Sequence, residues 1–176
     1  MPVKVFGLPT HILLLHVAVA GVPLVCLTTI AVAARPKWRA RFGIANAVFA
    51  MVMVGVTYAT QVAGQQLYNH APYLQKLAAQ HRGLGLTLVW FVAAVAVFAI
   101  ALVVVSRAGY AEHHAATVTV AALAIAASAI CVVQCIRVGD SGARAVWGNI
   151  NVSGSARLGA DPVGAGAGVP AALNVL

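Results

Sequence analysis

Apolar residues dominate this chain in four runs, near residues 10–34, 43–66, 83–106 and 115–138, separated by short polar connections. Each run can cross about 30 Å of hydrocarbon, which takes about 20 helical residues. Short connections between such helices force neighbours to run antiparallel. The pattern therefore predicts an all-α fold, an integral membrane antiparallel four-helix bundle over residues 1–148. The first run ends in Ala31-Val-Ala-Ala34, as a signal peptide does, but its apolar core is too long and the basic cluster follows it. It reads as a retained span.

The connections set an expected orientation. Arg35-Pro-Lys-Trp-Arg-Ala-Arg41 packs four positive charges into seven residues. Pro36 stops a helix and Trp38 suits a headgroup layer, so this loop is expected on the cytoplasmic side of a bacterial cell membrane. Both termini and the second connection then lie outside, although Lys4, Lys76, Arg82, Arg137, Arg144 and Arg157 count against that assignment. The second connection, Leu67 to about His81, has room for a short interfacial helix around Leu74–Ala79. The third, Arg107–His114, reads as a solvated turn, because its neighbours His113 and His114 do not share a helical face. After Gly148 a Gly/Ala-rich tail, 149–176, lacks a periodic apolar face. Alone it has too little apolar surface to order itself, so order there implies docking on a partner subunit. No internal repeat is evident.

Composition agrees with a membrane protein. The chain has 176 residues, 62% hydrophobic and 8% charged, against about 25% charged in soluble domains. Mean hydropathy is +0.94. Its net charge of +8 comes from bases scattered over loops and helix ends, without the clustered face that nucleic acid requires. Membrane lipid and protein subunits are the expected partners. Three cysteines inside apolar runs make no extracellular disulfide framework.

Folded up-down-up-down, the chain brings its unusual polar residues to one end. His11 and His16 open the first span and His81 the third; Thr57, Gln61, Gly64, Gln65 and Tyr68 share a face at the end of the second. Cys131, Gln134, Cys135, Arg137 and Asp140 end the fourth. Ionisable groups at membrane depth are costly, which makes them functional candidates; helix ends also collect polar anchors and interhelical hydrogen bonds. His11 and His16 are about 140° apart on a helix, so one ion cannot easily take both. His16, the deeper, is expected to line an interhelical site with His81, Gln61 and Gln65, with His11 nearer the mouth. Two imidazoles on facing helices can axially ligate a b-type haem. Cys131 and Cys135, one turn apart, can hold a transition metal with a histidine, or act as small apolar filler. Gly55, Ala59 and Ala63 form a small-residue ridge for close helix packing. No phosphate loop, zinc-protease helix or nucleophile elbow occurs.

The motifs resemble the bacterial membrane-protein family known as domain of unknown function 2231, in particular its actinobacterial members. Its paired histidines opening the first span are matched by His11-Ile-Leu-Leu-Leu-His16, without the family's prolines and phenylalanine. Thr60-Gln-Val-Ala-Gly64-Gln resembles its Thr-Gln-x-Ala-Gly-Glu, and His81 with Gly85 its His-x-x-x-Gly. Arg137-Val-Gly-Asp-Ser-Gly-Ala-Arg-Ala-Val-Trp147 is similar to a segment in which the family has histidine where Asp140 stands. The resemblance spans about residues 5–148 and implies four membrane spans. Fusion of some relatives to Rieske-type domains implies redox association, and the family carries no settled activity. The expected function is a membrane subunit of a respiratory or other redox complex, serving electron transport through haem or a metal. A cofactor-free accessory subunit is the alternative, with a small transporter weaker for want of polar lining. Whether the chain is an enzyme is left open.

Overall fold

The computed structural model describes residues 4–5, 8–70, 75–108 and 115–147. A two-residue antiparallel pairing of β1 (Lys4–Val5) with β2 (Leu8–Pro9) precedes the first helix. Among the described residues there are four long helices: α1 (Thr10–Ala34), α2 (Pro36–His70), α3 (Gln75–Arg107) and α4 (Ala115–Trp147). Each is long and apolar enough to cross a membrane. They pack in a closed ring, α1 on α2, α2 on α3, α3 on α4 and α4 on α1.

The helices overrun the expected spans. The basic segment is not a loop: α1 ends at Ala34, Pro36 opens α2, and only Arg35 links them. Proline is favoured in a first helical turn, where its missing N–H costs no hydrogen bond. The segment expected as a separate interfacial helix is instead continuous with α3, which begins at Gln75. α2 is 35 residues long, about 52 Å at 1.5 Å per residue, so its ends project beyond the hydrocarbon. The tail 149–176 and the turn bearing His113 and His114 lie outside the described residues.

Burial follows a heptad in every helix. On α2 the inward line is Arg39, Gly43, Asn46, Ala50, Met53, Thr57 and Thr60, alternating four and three apart; on α4 it includes Thr117, Ala124, Ser128, Cys131 and Val138. On α1 it is Ala18, Val22, Val25, Thr29 and Val32, and on α3 Leu88, Val92, Val95, Ala99 and Leu102. A seven-residue inward repeat is the signature of left-handed, shallow-angle packing. Small and weakly polar side chains face inward, while Leu27, Tyr58, Trp90 and Ile136 stand on the outer surface. Lipid removes the penalty on apolar exposure, so interiors select for close approach. Within this seam the Asn46 amide donates to Thr29 Oγ1 at 3.0 Å, joining α1 to α2. Gly55 does not serve it: the glycine is exposed and a Cβ there would meet nothing within 4 Å.

Candidate functional site

α1 begins, α2 ends, α3 begins and α4 ends around one cavity of about 590 Å³, lined from all four helices. His11 and His81 are both in its wall. Their settings match. His11 Nδ1 is 3.0 Å from the Thr60 carbonyl of α2, and His81 Nδ1 is 3.0 Å from the Val138 carbonyl of α4. A carbonyl only accepts, so each ring carries a proton on Nδ1, and in the neutral form Nε2 is the bare nitrogen. Neither Nε2 has a hydrogen-bond partner among the described residues.

Each imidazole also lies on a glycine one turn beyond the carbonyl it meets. A Cβ on Gly64 would stand 3.0 Å from His11, and one on Gly142 would stand 3.1 Å from His81. The two helical hairpins thus repeat one device: histidine, main-chain carbonyl, glycine four residues on. The repeat escapes the sequence because only the histidine and glycine are shared. Ser141 Oγ adds a contact to His81 Nδ1 at 3.3 Å while donating to the Val138 carbonyl at 2.8 Å.

The α2 residues expected at this end, Thr57, Gln61, Gly64, Gln65 and Tyr68, all line the cavity. Gln61 Oε1 is buried without a hydrogen-bond partner. Gln65 Oε1 accepts from Arg82 Nε at 3.1 Å, and the Arg82 guanidinium stands 4.9 Å over the Tyr68 ring. Arg82 is a lining residue the sequence reading left among the loop charges; its position next to His81 was the available signal.

His16, expected as the deeper partner of His81, is on the outer surface, with its Nδ1 against the Ile12 carbonyl of its own helix at 2.7 Å. His11 takes the place beside His81 instead. Five residues turn a helix by about 140°, so once His11 joins the inward line His16 must leave it. Cys131 and Cys135 also part company. Cys131 is buried in the same core cluster as Cys26, while Cys135 lines the cavity. All three thiols are free, and no cluster of three metal-ligating side chains forms among the described residues. Gln134 is occupied by α3, donating to Thr87 Oγ1 at 2.9 Å and the Leu84 carbonyl at 3.2 Å. Arg137 and Asp140 are exposed, Asp140 pairing with Arg144 at 3.0 Å. Asp140 is therefore outside the cavity wall.

Residues 7–152 match the family described as predicted membrane protein (DUF2231). The chain belongs to that family. No curated protein and no solved structure matched it. The DUF2231 match takes in all four helices and both histidine devices.

Proposed function

We propose that this DUF2231 protein is an electron-carrying membrane subunit that holds a b-type haem between His11 and His81. The reading rests on one observation: two imidazoles in one cavity, each fixed by Nδ1–H to a helix carbonyl with Nε2 unengaged. That hydrogen bond sets the tautomer and ring orientation a metal-ligating histidine needs and raises its basicity. The donor set fits in other respects. Gly64 and Gly142 keep side chains off the two rings, the wall is mainly apolar, and Arg82 offers a cation for acidic substituents. Bound there, haem would supply one-electron chemistry, tuned by the two histidines that would hold it and by burial. The chain's own part is to orient two nitrogens, exclude water and balance charge.

Thr60 and His11 lie about 36 Å and 35 Å along their helices from the Pro36 and Ala34 ends, at 1.5 Å per residue. That depth is near one membrane face, the extracytoplasmic one if Arg35–Arg41 lies in the cytoplasm. A bacterial cell membrane and docking of the tail 149–176 on a redox partner complete the reading. Reduced-minus-oxidised spectra of the purified protein test it. A b-type signal is expected, lost in His11→Ala and His81→Ala and kept in His16→Ala and His70→Ala. The same hydrogen bonds also favour a second reading, histidines as interhelical clamps. No signal in the wild type, with both alanine variants less heat-stable, would establish that reading instead.

A further inference from the structure

At the opposite end of the bundle the start of α2 meets the start of α4 across a groove of about 350 Å³. Arg39 and Thr117 are both in its wall, with Ala33, Ala121, Ala122 and Ile125. Arg39 is only 9% exposed, although arginine is almost never buried without a counter-charge. One guanidinium nitrogen donates to the Ala33 carbonyl at 2.6 Å. Its Nε is buried with no partner, as is the Thr117 hydroxyl, itself 2% exposed. Two buried donors therefore line one groove, in the first turns of α2 and α4, where the positive ends of the helix dipoles also favour an anion. No described acid answers them: of the chain's three acidic side chains, Asp140 pairs with Arg144 at the other end, and Glu112 and Asp161 are outside the described residues.

We infer that Arg39 and Thr117 bind the phosphodiester of an anionic phospholipid. The chemistry is that of phosphate recognition, in which a guanidinium gives charge-assisted hydrogen bonds to oxygens and a hydroxyl donates alongside. The lipid, rather than free phosphate, follows from the rest of the groove. Below the two donors its wall is the small, apolar surface of Ala121, Ala122 and Ile125 on a membrane-crossing helix, suited to an acyl chain. Arg35, Lys37 and Arg41 flank Arg39 in sequence, and Arg35 stands 4.7 Å over the Trp38 ring, the furniture of a headgroup layer.

The full-length protein in detergent can be titrated with phosphatidylglycerol, with phosphatidylcholine of equal chain length, and with inorganic phosphate, following bound lipid by native mass spectrometry and the melting temperature. Phosphatidylglycerol should bind at least tenfold tighter than phosphatidylcholine and raise the melting temperature, with no response to inorganic phosphate. Arg39→Gln and Thr117→Val should each remove most of that preference, while Lys37→Gln and Arg41→Gln keep it. If Arg39→Gln does not fold, Arg39→Lys, which keeps the charge and loses the Nε donor, should weaken binding in its place. Glu112→Gln should bind as wild type; tighter binding there would make Glu112 the arginine's counter-ion and overturn the inference. Equal response to the two lipids would overturn it, as would the same shift with inorganic phosphate or an unchanged preference in both Arg39 variants and Thr117→Val.

Discussion

Gly64 and Gly142 are where a single methyl group decides the site. A Cβ at 3.0–3.1 Å from an imidazole makes the ring, held by its carbonyl, give by a few tenths of an ångström, and overpacking of this kind costs about 1–3 kcal/mol. Gly64→Ala and Gly142→Ala should each lower the melting temperature and weaken any cofactor signal. Gly55→Ala, on the outer surface with nothing within 4 Å, should be neutral or stabilise by up to about 1 kcal/mol, the usual helix preference for alanine. Thermal unfolding of the three variants in one detergent separates these outcomes. At this scale the sequence was partly legible. The polar face of α2 could be read from spacing, and the arrival of His81 at the same end from the up-down-up-down order. The choice between His11 and His16 needed the inward line of α1, and in an all-apolar helix no polar contrast marks it. Depth was the wrong criterion there, because the cost of burying His16 is avoided by turning it outward.

The helices themselves were legible in number and order, and less so in extent. Hydropathy marks the hydrocarbon-embedded part of a helix and stops at the first charges. Helix formation here continues through Lys37, Arg39 and Arg41 at one end and through Asp140 and Arg144 at the other. What fixes each helix against its neighbours is the inward heptad, in which alanines allow close approach at several positions. Ala50 and Ala124 are fully buried on that seam. Ala50→Leu or Ala124→Leu should therefore destabilise by about 1–3 kcal/mol, as overpacked cores do. The reverse-sized changes Leu27→Ala and Ile136→Ala, on the outer surface, should cost less, since they open no cavity. Comparing unfolding of these four variants checks whether the seam or total apolar content holds the bundle together.

For the whole molecule, the two hairpins place equivalent residues at equivalent positions: His11 with His81, the Thr60 and Val138 carbonyls, Gly64 with Gly142, and at the far end Arg39 with Thr117. In each hairpin both ends lie at the same end of the bundle, so each is expected to insert without the other. Severing the chain between His70 and Gln75 should then leave two fragments that find one another when co-expressed. Co-purification through a tag on one fragment reads the outcome directly, and failure to recover the untagged half would show that the link is required for assembly. A unit that inserts alone and presents one histidine to a like unit has the form of a self-pairing ancestor. Duplication and fusion of such a gene would turn a symmetric dimer into one chain and free its halves to diverge. Arginine at one far-end position and threonine at its counterpart would be a product of that freedom.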